Sequence, residues 1–156
     1  MVFQYPQTGF HFTVAFELFP QMPSDLRFQE VSGLKAHVET GPACNSEHGN
    51  TALEVPLKVK YEPLVLKRGV FIGSGIRLWC IKAIEEFEFH PTNVVVMLLN
   101  ASHMPLMSWY VAGAYPLSWE ISAFNAERSE LAIESITLKY NHFKTLSLES
   151  VAAAAF

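Results

Sequence analysis

The sequence predicts a mainly β chain with one α-helix, folded as a small antiparallel β-barrel or sandwich with the helix on its flank. Three observations carry this reading. Apolar residues recur at every second position along most of the chain, one segment alone carries them at spacings of three and four, and the strand-like runs follow one another without helices between them. A parallel sheet needs a helix after almost every strand, so the pairing is antiparallel. A length of 156 residues suits one domain spanning 1–156.

From the N-terminus, Phe10, Phe12, Val14, Phe16 and Leu18 alternate with His11, Thr13 and Glu17, the period of a half-buried strand. Pro20, Pro23, Ser24 and Asp25 interrupt it. A second strand is expected from Phe28 to Glu39, where Leu34, Ala36 and Val38 oppose Lys35, His37 and Glu39, with a bulge or bend at Ser32-Gly33. Thr40 to Thr51 holds Gly41, Pro42, Asn45, Gly49 and Asn50 and almost no large apolar side chain, which predicts an extended loop. Leu53, Val55, Leu57 and Val59 then alternate with Glu54, Pro56, Lys58 and Lys60. Pro56 marks this strand as an edge or an irregular ladder.

The helix is expected after Gly73-Ser74-Gly75, with Ser74 as its cap. Ile76, Trp79, Cys80, Ala83, Ile84 and Phe87 form its apolar stripe, which assigns Trp79 and Phe87 to the structural core. Leu78 and Ile81 widen the stripe beyond what one buried face needs. Glu85, Glu86 and Glu88 crowd the C-terminal end, where the helix dipole disfavours carboxylates, and the sequence offers no reason for them. Four further strands follow at Val94–Leu99, Leu106–Ala112, Leu117–Phe124 and Leu131–Tyr140, for a total of seven or eight. In the last, Leu131 and Ile133 take one phase and Ile136, Leu138 and Tyr140 the other, so a bulge is expected near Ser135.

Composition narrows the function. Half of the residues are hydrophobic and 17% are charged, against a usual share of about 25%. Such a chain is not disordered, and with a mean hydropathy of +0.18 it is expected to bury part of its surface against other subunits. A net charge of -4 has the wrong sign for gathering nucleic acid through its phosphates, so no direct sequence-specific nucleic-acid binding is expected. The longest aliphatic run, Val94 to Leu99, is far short of the roughly 20 residues that cross a bilayer, and Met1 to Phe12 lacks the pattern of a secretory signal. Cys44 and Cys80 make no metal-knuckle or redox spacing and are expected as free thiols.

No motif points to catalysis. His37, Glu39, Cys44 and His48 include metal-ligating types, but their spacing matches no standard site. Gly69, Gly73 and Gly75 precede the helix without the Lys-Ser/Thr pair of a phosphate loop, and no G-x-S-x-G frame is present. Neither a cofactor nor a metal is expected. Trp79, Trp109 and Trp119 read as core or interface aromatics.

Tyr5-Pro6-Gln7-Thr8-Gly9-Phe10-His11-Phe12, Phe28-Gln29-Glu30-Val31-Ser32-Gly33-Leu34 and Leu64-Val65-Leu66-Lys67-Arg68-Gly69 resemble, in order and spacing, the tail-tube family of contractile phages. Trp109-Tyr110-Val111-Ala112-Gly113-Ala114-Tyr115-Pro116 and Leu131-Ala132-Ile133-Glu134-Ser135-Ile136-Thr137-Leu138 continue the similarity over nearly the whole chain. The family includes the inner tubes of phage-derived injection particles, and its fold is similar to the tube protein of type VI secretion. The resemblance implies hexameric rings stacked into a hollow tube inside a contractile sheath, with baseplate or hub and tube-terminating proteins as further partners and a payload in the lumen. Assembly in the cytoplasm of the producing cell and incorporation into a phage tail or tail-like particle follow from it. A tube-initiator ring at the baseplate is the alternative within the same machine, and a barrel for a small apolar ligand is the alternative of another class.

The resemblance also implies that the 40–51 loop connects stacked rings, with Gly41, Pro42, Glu47, His48, Gly49 and Asn50 in contact. Lys67 and Arg68, in a chain short of positive charge, are expected to pair with acidic residues of a neighbouring subunit. The segment 42–51 lacks the glycine pair common in the family, and the 151–156 end, Val-Ala-Ala-Ala-Ala-Phe, is an unusual short tail.

Overall fold

The computed structural model describes residues 11–18, 28–43, 53–70, 73–128 and 131–147. Among them, nine strands and one helix follow in the order β1 (His11–Phe16), β2 (Glu30–Ser32), β3 (Ala36–Pro42), β4 (Glu54–Tyr61), β5 (Leu64–Gly69), α1 (Gly75–Glu85), β6 (Thr92–Leu99), β7 (Pro105–Ile121), β8 (Ile133–Lys139) and β9 (His142–Ser147). Every pairing is antiparallel. Seven strands form one sheet along the path β1-β6-β7-β8-β5-β2, with β9 also on β7, while β3 and β4 form a separate two-stranded sheet.

The long strand β7 organises the core. Its first part pairs with β6 and β9, and its second part, from Tyr115, pairs with β8. Gly113 (φ +68) lies between these two parts, and a Cβ there would come 2.6 Å from the Asn141 amide. Alternate residues of both parts of the sheet bury one cluster: Val14, Phe16, Val94, Val96 and Val111 from one, Leu64, Leu66, Ile136 and Leu138 from the other. The helix closes this cluster with Ile76, Trp79 and Cys80. The expected mainly antiparallel fold with one helix is the observed one. Closure into a barrel is not: β1 and β2 end the path and do not pair with each other, so the sheet is open among the described residues.

Other boundaries also differ from the sequence reading. The expected Phe28–Glu39 strand divides at the bend expected at Ser32-Gly33: Gly33 takes φ +90 where a side chain would meet the Pro63 carbonyl oxygen at 2.0 Å, and β2 joins β5 while β3 joins β4. The expected loop from Thr40 starts too early: Thr40, Gly41 and Pro42 remain in β3, paired with Pro56, Val55 and Glu54. Leu106–Ala112 and the part of Leu117–Phe124 up to Ile121 belong to the single strand β7, which passes Pro116 with a register shift before Ser118; Ser122 to Phe124 lie beyond its end. No bulge occurs at Ser135, because β8 pairs with β5 in unbroken register from Ile133 to Leu138. The apparent change of phase arises because Glu134 occupies a core position beside Ile136 and Leu138.

Candidate assembly surfaces

The N-terminal end of α1 is fixed by a buried ionic cluster. Ser74 caps the helix by accepting from the Arg77 N–H, and the same hydroxyl accepts from Arg68 Nη2. Arg68 Nε donates to Glu134 Oε2 at 2.9 Å, Trp119 Nε1 to Glu134 Oε1 at 2.7 Å, and Arg77 Nε to the same oxygen at 3.3 Å. The Phe28 ring lies 5.2 Å from the Arg68 guanidinium carbon. Burial alone would raise the Glu134 pKa, but the Trp119 and Arg68 hydrogen bonds and the two guanidinium charges hold it below the usual carboxylate range. Arg68 is only 2% exposed, which corrects its expected place at a subunit interface: its partner is Glu134 of the same chain. Lys67, one position earlier, points to the other face and lies 3.8 Å from Glu30.

At its other end the helix stops at Glu85, with Glu86 as its cap. Phe87 takes a left-handed conformation (φ 54), and the Lys82 carbonyl accepts from both the Glu86 and Glu88 N–H groups at 3.1 Å. A bulky residue in this region costs on the order of 1–3 kcal/mol, which is why glycine is the usual choice there. The turn takes Phe87 off the helical lattice, so it is 83% exposed instead of lying in the core as its spacing predicted. Its ring meets Phe89 edge-on at 5.0 Å, and Phe89 meets Tyr115 at 5.9 Å, forming an aromatic ledge. Glu85, Glu86 and Glu88 adjoin it in the chain and are exposed; the His90 hydrogen bond and then the Lys82 charge hold the Glu88 carboxyl below its usual range. Trp79 faces the opposite way, buried against Phe16, and donates to the His90 carbonyl at 2.9 Å.

The β3–β4 hairpin is the second outlying feature. Register places Ala36 opposite Tyr61 and Val38 opposite Val59 on one face; it shifts between Glu39 and Thr40, and beyond the shift Gly41 lies opposite Val55 with the Leu57 side chain against it. Val38, Leu57 and Val59 are all exposed, and none belongs to the buried core. The reverse face carries Glu39, whose carboxylate serves Lys60 at 3.3 Å and Lys58 at 3.6 Å. An isolated two-stranded ribbon is marginally stable, so an arm with an uncovered apolar face points to a partner.

The remaining sequence candidates are dispersed. Gly41 and Pro42 lie in β3, while Glu47, His48, Gly49 and Asn50, with Cys44, fall outside the described residues. His37 lies 3.8 Å from Glu62, and Glu39 is engaged with lysines, so neither is drawn towards the other as a ligand. Cys80 is buried, and burial pushes its thiol up to about 12. Two features escaped the sequence reading. Glu134 left a signal, a lone carboxylate in phase with Ile136 and Leu138; the aromatic ledge left none, because it depends on where the helix stops.

Residues 8–144 match the family model described as T4-like virus tail tube protein gp19. The chain belongs to this tail tube family. Its fold is similar to a chain in the tube-terminating cap of the anti-feeding prophage, at 25% identity and a TM-score of 0.78, covering 94% of this chain and 95% of that one. A chain of the PVC extracellular contractile injection system, solved as a sheath–tube complex in the extended state, gives 23% identity and a TM-score of 0.75 with coverages of 94% and 95%. A more distant likeness, at 13% identity and a TM-score of 0.56, covers 88% of this chain and 83% of a type six secretion system protein. No curated protein sequence matches the chain. As a tail tube protein it is a structural tube subunit.

Proposed function

We propose that this single tail-tube domain builds the inner tube of a contractile phage tail or tail-like injection particle. Six copies close into a ring, rings stack into a hollow tube, and a contracting sheath drives the tube through a target envelope with a payload in its lumen. The subunit acts mechanically and carries out no covalent chemistry. It assembles in the cytoplasm of the producing cell and meets baseplate and tube-terminating proteins at the two ends of the tube. One observation supports this most directly: the chain holds an apolar hairpin outside its own core, which a self-sufficient monomer has no reason to keep.

In the same reading, residues 44–52 connect one ring to the next, with Glu47, His48, Gly49 and Asn50 in contact. The β3–β4 ladder extends to the Ala43 N–H bond with the Leu53 carbonyl at 2.8 Å, so the hairpin can be closed there. Negative-stain microscopy of the purified chain tests the main claim: rings or rods are expected, and isolated small particles at every concentration would refute it. Replacing residues 44–52 with Asn-Gly should leave folded, ring-forming subunits that do not build long tubes. Long tubes from that variant would remove the segment from the ring-to-ring contact, and wild-type rings that never elongate would mark an initiator.

A further inference from the structure

We propose that His11 and His103 together bind a divalent transition-metal ion of the nitrogen-preferring class, such as zinc, at the end of the β1–β6 ladder. Their rings lie with centres 5.2 Å apart and planes tilted by 33°. Two imidazoles on one tetrahedral zinc, each bonded at about 2.0–2.1 Å, hold their ring centres about 5 Å apart, so the observed spacing is that of a ligand pair. Rings in plain aromatic contact take similar distances, and the two readings part on the nitrogens. Among the described residues neither imidazole has a hydrogen-bond or ion-pair partner, whereas His37 and His90 each face a glutamate.

The backbone fixes the pair. His11 opens β1 opposite Leu99, the last residue of β6, and the chain reverses directly after it. Asn100 Oδ1 accepts from the Ser102 and Met104 N–H groups at 2.9 and 3.0 Å, and the Asn100 carbonyl accepts from the His103 N–H at 3.0 Å. His103 takes a left-handed conformation (φ 59), which histidine adopts more readily than most residues, and this turn brings its ring back to His11. Both histidines are exposed, and with Thr13 and Gln29 they help to line a cavity of about 600 Å³. Thr13 shares the His11 face of β1, and its buried Oγ1 has no hydrogen-bond partner, so the same wall carries an unmet polar atom. No carboxylate lines the cavity among the described residues, which disfavours magnesium and calcium, hard ions that take oxygen ligands. Two imidazoles are half of a tetrahedral set. Water completes it, which makes an open site that exchanges with free ion. The sequence hid the pair because its members stand far apart in the chain, outside any ligand spacing.

The site is complete within one copy, so its test does not depend on the tube reading. Untagged, chelator-stripped protein carrying Cys44→Ser is titrated with zinc chloride in a calorimeter. One site per subunit is expected, which His11→Asn and His103→Asn should each weaken at least about tenfold, while His90→Asn leaves it unchanged. Asparagine suits the left-handed backbone at position 103, and without metal both variants should melt as the parent does. Zinc should raise the Tm of the parent and of neither variant, because only the folded chain holds the two rings together. X-ray absorption of the zinc-loaded parent gives a second readout, with two imidazole nitrogens expected on each zinc. No saturable binding, an affinity that either variant leaves unchanged, or fewer than two imidazoles on the metal would overturn the proposal and leave the rings as a packing contact only.

Discussion

Glu134→Gln isolates the charge at the centre of the ionic cluster. The carboxylate is fully buried and accepts from three donors, Trp119 at 2.7 Å, Arg68 at 2.9 Å and Arg77 at 3.3 Å. An amide of the same shape can keep one oxygen towards Trp119, but its NH2 group must then face the guanidinium of Arg68, donor against donor. Arg68 stays charged and buried without its counter-ion, whereas Arg77, whose side chain is 20% exposed, can turn towards water. Breaking a buried pair in this way costs about 3–5 kcal/mol. For a chain of this size that lowers Tm by roughly 6–20 °C. The assay is urea unfolding of the subunit at pH 7, repeated as the pH is lowered. Since the folded pKa of Glu134 is depressed, its stabilisation is present above the ordinary carboxylate value and is lost as pH falls through the folded value. The deficit of the Gln variant should therefore be full at pH 7 and shrink in acid. A variant within 1 kcal/mol of the parent at pH 7, or a deficit unchanged by acid, would refute the reasoning.

Other outcomes follow from the same geometry. Trp79→Ala removes a buried ring packed on Phe16 and bonded to the His90 carbonyl, and should lower subunit stability by about 3–5 kcal/mol in thermal or urea unfolding. Lys67→Glu removes only an exposed pair with Glu30 and should cost no more than about 1 kcal/mol, whereas Arg68→Glu sets two buried carboxylates against each other and should yield no folded subunit by circular dichroism. In a Cys44→Ser background, Cys80 should resist a thiol reagent at pH 8 until the chain is denatured, because burial raises its pKa to about 12; rapid labelling of the native protein would contradict its placement.

Alternation alone identified most of the strands, since Val14 with Phe16, Val94 with Val96, and Ile136 with Leu138 all turn their expected phase to the core. The helix was legible in most of its stripe: Ser74 caps it and Ile76, Trp79, Cys80 and Ala83 are buried, while Ile84, expected with them, is exposed. The ordered motifs alone point to the tail tube family that the chain belongs to. These properties are local, set by side-chain period and by short-range backbone bonds, so a sequence states them directly. Long-range pairing decided the rest. Arg68 reads as a surface cation until a chain reversal brings Glu134 beside it, 66 residues away. Phe87 continues a helical stripe on paper, yet the carbonyl of Lys82 captures the Glu88 N–H and turns its ring outward. Val38, Leu57 and Val59 alternate like core residues, and only the division of the chain at Gly33 places them on an arm away from the core. The apolar period says which residues share a face; what covers that face depends on chain crossings that no local pattern encodes.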